Sequence, residues 1–197
     1  AVKAETTDKI LLFTTDGRFF TLDAAKLPGG RGFGEPVRLM VDLDESAEPV
    51  ALFRYEPERK RLIAQTSGHG FIVNEKDLTA QKRAGRQVLN VQAGERAMAA
   101  IPVSGDRVAV LGENKKLLIF AAAEIPEMTR GKGVRLLGGK GGQVADLTVF
   151  EAETGLVRID PAGRRHEIEN WRLFEAKRAQ AGRMAPRGFT AKKFDSR

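Results

Sequence analysis

The sequence predicts an all-β fold, a propeller-like repeat of about four four-stranded blades, for which an open ring is one admissible form. Three observations predict it. A short basic run around glycine recurs along the chain, as Gly30-Arg31-Gly32-Phe33-Gly34, Gln81-Lys82-Arg83-Ala84-Gly85-Arg86-Gln87, Thr129-Arg130-Gly131-Lys132-Gly133 and Ala179-Gln180-Ala181-Gly182-Arg183. With Gly32, Gly85, Gly131 and Gly182 taken as equivalent, the intervals are 53, 46 and 51 residues. A period of that length is the mark of stacked repeats. Each run is preceded by a hairpin pattern and followed by two further strand patterns. Long amphipathic helical patterns are absent, residues 170–180 being the one candidate.

Taken in order, Lys9–Thr15 and Arg18–Leu22 read as two strands around Asp16-Gly17, a strong hairpin signal. A short turn at 24–28 leads into the first basic loop, then strands are expected at Val37–Leu43 and Pro49–Tyr55, joined by an acidic turn at 44–48. The second unit repeats the order: 61–66 and 71–73 around Gly68-His69-Gly70, the loop at 81–87, then strands at 88–91 and 97–103. The third has 107–111 and 117–120, the loop at 129–133, and strands at 134–137 and 144–150. The fourth has 156–159 and 166–168, then the worn loop at 179–183. The domain organisation follows: residues 1–7 as an extension, 8–188 as one repeat domain in units of about 8–46, 47–92, 93–140 and 141–188, and 189–197 as a loose basic tail. Strand-rich units of this size cannot bury both faces alone, so neighbours must stack.

The 197 residues are 42% hydrophobic, enough for a sizeable core. The net charge of +7 favours a polyanionic partner. With no cysteine there is no disulfide framework, thiolate nucleophile or thiolate metal site. No apolar run reaches membrane-helix length and no signal-peptide pattern opens the chain, which starts at Ala1 and reads as a piece of a longer protein.

At these loops the residues resemble a known family. The hairpin, turn and basic-loop unit is similar to the C-terminal β-pinwheel domain of type IIA topoisomerase A subunits, shared by DNA gyrase and topoisomerase IV. Gyrase A subunits carry a box, Gln-Arg-Arg-Gly-Gly-Lys-Gly. Gln81 and Arg83 match it, Lys82 and Arg86 keep the charge, and Gly85 matches its second glycine, whereas Ala84 and Gln87 replace the first and last. A degraded box is the topoisomerase IV pattern. Leu27-Pro28 and Ile125-Pro126, each just before a basic loop, add support, and the likeness runs from Asp8 to Gly188. Fewer units are visible here than that family commonly carries.

The resemblance implies a non-catalytic domain that binds and bends duplex DNA and steers substrate choice in decatenation and supercoil relaxation. Its implied partners are duplex DNA, the N-terminal breakage–reunion part of the same polypeptide and the ATPase subunit, in a cytoplasmic, nucleoid-associated enzyme of the ATP-dependent type IIA class. An acidic inhibitor protein that also binds the DNA face is an alternative partner. No cofactor, metal or membrane is expected for this stretch. The alternative is a propeller-like scaffold for a protein partner, against which stands the lack of a Trp-Asp pair closing any unit.

Arginine and lysine repeated at one place in each unit suit phosphates, which carry charge but little sequence information. The expected contacts are Arg31, Arg38, Lys82, Arg83, Arg86, Arg130, Lys132, Arg135 and Lys140, extended by Arg178, Arg183 and Arg187, on loops shaped by Gly32, Gln81, Ala84, Gly85, Gln87, Gly131 and Gly182. Arg86 and Lys132 are read as one loop position, at which the first unit has Phe33; the first unit is therefore expected to contribute least. Other features take plainer readings. Tyr55 follows Arg54 but lies in an alternating strand, with no acidic metal cluster, and is no nucleophile. His69 and His166 read as surface turn residues, and Asp42, Asp44, Glu45 and Glu48 as a solvated turn. Gly138–Gly142 lacks the Ser/Thr and helix of a phosphate-binding loop, and Trp171 reads as a core plug.

Overall fold

The computed structural model describes residues 8–26, 40–140, 143–187 and 194. Fourteen strands are described in chain order: β1 Lys9–Thr14, β2 Arg18–Asp23, β3 Pro49–Arg54, β4 Lys60–Gln65, β5 His69–Asn74, β6 Arg86–Gln87, β7 Ala97–Pro102, β8 Arg107–Gly112, β9 Lys116–Ala121, β10 Val134–Arg135, β11 Val144–Phe150, β12 Val157–Ile159, β13 Arg165–Glu167 and β14 Arg183–Met184. They form three four-stranded antiparallel sheets, β3-β1-β2-β6, β7-β4-β5-β10 and β11-β8-β9-β14, and a two-stranded one, β12-β13. The expected hairpins are all present. The 170–180 helix shrinks to one 3-10 turn at Trp171–Phe174.

Sheets and sequence units partition the chain differently. Each blade takes its central hairpin from one unit, and its last strand from the basic loop of the next. Thus Arg86–Gln87 pairs with β2, Val134–Arg135 with β5 and Arg183–Met184 with β9. The strand expected at 134–137 is accordingly a two-residue edge, the one expected at 88–91 is replaced by the edge Arg86–Gln87 just before it, with only an isolated bridge at Leu89, and Met40–Leu43 forms no strand. Val41 instead closes the free face of the first blade over Ile10, Leu12, Phe20 and Leu22. β7 lies against both β3 and β11, so these strands gather on the inside and β6, β10 and β14 form the opposite, outer edges.

Packing follows the period-two alternation of strands. In β4, Ile63 faces the first blade's Leu11, Phe13, Phe19 and Phe53, whereas Leu62 and Ala64 face the third blade's Val108, Val110, Leu118 and Phe120. Both faces are buried, which is why the hairpins read as near-continuous apolar runs. Phe13 and Phe19 stack at 4.3 Å inside the first interface. Burying one such side chain stabilises by roughly 1.5–3 kcal/mol.

One blade interface also carries charge. Glu75, with no solvent exposure, accepts hydrogen bonds from Arg61 Nε at 2.9 Å, from the Glu56 amide at 2.9 Å and from Arg59. Buried Arg61 also donates to the Ala100 carbonyl at 2.7 Å and lies 3.4 Å over the Phe53 ring. Burial pulls the Arg61 pKa down to about 10 against the attraction of Glu75. The group ties β3, β4 and β7 together.

The fourth blade departs from expectation at its end. Phe194 is buried among Phe150, Leu156 and Trp171, bridges Arg158, and donates its amide to Asp146 Oδ2 at 2.8 Å. The tail is therefore not loose at this residue. Trp171 packs edge-on to Phe150 at 5.0 Å, the core plug that its position implied.

Candidate nucleic-acid interface

The outer edges carry the basic loops. Gly85, Gly133 and Gly182 occupy one structural position, directly before the edge strands, with φ of 71°, 84° and 76°. A Cβ there would meet the carbonyl oxygen of Phe19 at 2.7 Å, of Gly70 at 2.3 Å and of Leu117 at 2.7 Å respectively. These three carbonyls are themselves equivalent, at the second residue of each receiving strand. Only glycine gives both the left-handed turn and the close approach that lets the loop dock as a strand.

This corrects the sequence alignment of the third loop by two residues. Gly133, not Gly131, matches Gly85, and the interval series from 85 to 133 to 182 becomes 48 and 49 residues. Arg86 consequently aligns with Val134 and Arg183, while Lys132 aligns with Ala84 and not with Arg86. Gly131 serves a different contact, in which its amide donates to the Val88 carbonyl at 3.0 Å and its carbonyl accepts from Asn90 at 2.9 Å. The fourth loop repeats this against the third, Ala179 donating to Leu136 and Gln180 accepting from Gly138. Loops two, three and four are thus stitched backbone to backbone into one continuous rim.

Side chains fix the second loop further. Gln87 Nε2 donates to the carbonyls of Asp16 at 2.8 Å and Leu89 at 2.7 Å. Arg18 Nη1 holds the Ala84 carbonyl at 3.0 Å. The substitution of the box's last glycine by Gln87 therefore adds a lock between loop and hairpin turn. Gln81 and Ala84 are exposed on the loop's outer side.

The expected contact residues separate into three groups. Lys82, Arg86, Arg130, Lys132, Arg135, Lys140, Arg183 and Arg187 are exposed, and none is ion-paired among the described residues. Arg83 is exposed and pairs with Asp42 at 3.5 Å. Arg178 is half-buried, its guanidinium donating to the carbonyls of Glu124 at 2.9 Å and Arg135 at 2.7 Å, which makes it a staple between loops. Arg31, Gly32, Phe33 and Arg38 lie outside the described residues, and with them the expectation for the first unit.

Several bases away from the rim are neutralised. Arg54 pairs with Glu56, Lys60 with Glu127, Arg107 with Glu175 and Arg164 with Asp160. The rim loops, in contrast, hold Lys82, Arg86, Arg130, Lys132, Arg135 and Arg183 in a row with no ion pair among the described residues. The sequence reading missed one rim residue, His69. It is half-buried, pairs in register with Arg135, and its Nδ1 lies 3.0 Å from Ser67 Oγ. Burial first, then Lys132 and Arg135, hold its pKa below the ordinary histidine value. His166 sits elsewhere, its Nε2 2.8 Å from Asp160 Oδ2. His166 first, then the Arg164 amide, keeps the Asp160 carboxyl well below the usual carboxylate range. Among the described residues no group of three or more His, Asp or Glu could hold a metal, and no helix is long and apolar enough to cross a membrane. Tyr55 lies one residue beyond β3, partly buried against the first interface core.

Blades that exchange edge strands and carry a basic outer rim define a β-pinwheel domain. Its particular family is shown by comparison with known proteins. The family model of the DNA gyrase C-terminal domain, a beta-propeller, matches residues 8–48, 67–104 and 107–145, and the chain belongs to that family. The A subunit of DNA topoisomerase 4 from Caulobacter vibrioides is 47% identical over 192 residues, covering 98% of this chain and 25% of that protein. Its counterpart from Rickettsia bellii is 39% identical over 188 residues, covering 95% and 25%. The chain thus spans about a quarter of the length of these curated relatives. A solved structure of the E. coli ParC C-terminal domain superposes with a TM-score of 0.82 at 20% identity, over 98% of this chain and 84% of that one, and shares the fold.

Proposed function

We propose that this chain is the DNA-binding and DNA-bending domain of a topoisomerase IV A subunit, engaging duplex phosphates along its stitched basic rim. The observation that carries the reading is the contrast in pairing. Lys82, Arg86, Arg130, Lys132, Arg135 and Arg183, on three consecutive loops, are exposed and without carboxylate partners among the described residues, whereas Arg54, Lys60 and Arg107 elsewhere are in ion pairs. Unpaired lysine and arginine held in a row can release condensed counterions from a duplex, the main source of sequence-independent affinity.

Curvature gives the bending. The donated edges lie on the outside of blades whose inner strands meet, so a duplex that follows successive loops must turn with them. In the parent enzyme this domain would act beside the breakage–reunion part and the ATPase subunit, favouring crossed segments in decatenation and supercoil relaxation. The chain's own share is binding and positioning, with no cofactor. A duplex of about 20 base pairs, roughly 70 Å long, labelled at both ends with a donor and acceptor dye tests it. Energy transfer should rise on binding; binding without a rise would overturn the bending, and no binding at low salt would overturn the whole reading.

A further inference from the structure

The outer rim has a second basic position. The first residue of each receiving strand pairs in register with the second residue of the donated edge: Arg18 with Gln87, His69 with Arg135 and Lys116 with Met184. Cross-strand partners of this kind share one face of the sheet. The position is a base in all three blades, yet only His69 can change its charge near neutral pH.

We propose that His69, Lys132 and Arg135 form a proton-linked phosphodiester site on the rim, at which His69 takes up a proton when DNA binds. This rests on the DNA-binding reading above. Ser67 Oγ, 3.0 Å from Nδ1, can donate to the neutral ring or accept from the charged one, so protonation costs that nitrogen no hydrogen bond. Nε2 stays a donor for a phosphate oxygen in both states. Burial first, and then Lys132 from the third loop and Arg135 from β10, weighs against the imidazolium in the free protein. Glu95 and Glu113 line the same groove and act the other way; Glu95 is engaged by Thr66 and Gln143. A phosphodiester against Lys132 and Arg135 cancels their repulsion, and the proton then binds more readily. By reciprocity, lower pH tightens DNA binding.

The test uses the chain, His69→Gln and His166→Gln, with a random duplex in anisotropy at pH 7.5 and 5.5 at one ionic strength. The Kd of the parent should fall on acidification, about tenfold at full effect for each unit by which DNA raises the His69 pKa. His69→Gln should lose that fall and His166→Gln keep it. The His69 ring-proton signal should titrate at higher pH with duplex than without. Salt-dependent binding with no pH effect, or with the same effect in His69→Gln, overturns this site and leaves the rim intact. Absence of binding in the parent overturns the rim itself.

Discussion

Replacing Glu75 by Gln tests the charged blade interface most sharply. The change keeps the size of the side chain and removes the charge, while Arg61 stays buried beneath the second blade. Glu75 accepts from three donors, Arg61, Arg59 and the Glu56 amide, and an amide oxygen can serve them only in part. Breaking one side of a buried ion pair costs about 3–5 kcal/mol, because the remaining charge is left without compensation. The Phe53 ring, 3.4 Å from the Arg61 guanidinium, returns a fraction of that, up to about 2 kcal/mol. A net loss of about 1–5 kcal/mol at about 2–4 °C per kcal/mol gives a fall in Tm of about 2–20 °C. Thermal unfolding followed by circular dichroism measures it. The double change Arg61→Met with Glu75→Leu should recover much of the loss, since a well-packed apolar pair replaces a buried ionic one at little cost. A Tm for Glu75→Gln within about 1 °C of the parent would refute the account of this interface.

Three further outcomes are expected. Gly85→Ala should destabilise by about 1–3 kcal/mol in urea unfolding and weaken DNA binding, whereas Gly94→Ala, with φ of 78° and open space around it, should cost about 1 kcal/mol and leave binding unchanged. Phe194→Ala opens a void under the fourth blade and should cost up to about 3–5 kcal/mol, read as faster amide exchange in β12 while β4 and β5 keep their protection. For Asp160 the folded-state pKa lies below the unfolded one, so its stabilisation is present above the ordinary carboxylate range and lost as pH falls through the folded value. Asp160→Asn should therefore speed exchange in the β12–β13 hairpin at pH 7 and have progressively less effect under strongly acid conditions.

The hairpins were legible because each combines an apolar run with a turn signal, and these local rules decide the structure where strands follow one another directly. The edge strands were not, because two-residue pairs such as Arg86–Gln87 are made by a partner in another unit and leave no periodicity of their own. The loop register shows the same limit. Gly131 and Gly133 sit in one glycine-rich stretch, and only the close approach to the Gly70 carbonyl decides between them. The charged clamp did leave a trace in the repeat. Arg61 stands where the neighbouring hairpins have Ile10 and Val108, and Glu75 where they have Ala24 and Ala122. An arginine and an acid that replace apolar residues together in one unit point to a pair. Phe194 lay beyond the last repeat signal, and its docking depends on Asp146 and Arg158, far away in sequence. Among the rim bases, exposure followed from loop position, but the diversion of Arg178 to two backbone carbonyls did not.

The most direct test of the central claim is the salt dependence of DNA binding, measured by anisotropy for the parent and for Lys82→Ala, Arg86→Ala, Arg130→Ala and Lys132→Ala combined. All four are exposed and unpaired among the described residues, so their removal leaves the fold's ion pairs in place. Each phosphate contact contributes a slope of about 0.9 in log Kd against log salt, so the combined variant should bind more weakly with a slope shallower by about 3 to 4. An unchanged slope and affinity would contradict the assignment of these loops to DNA.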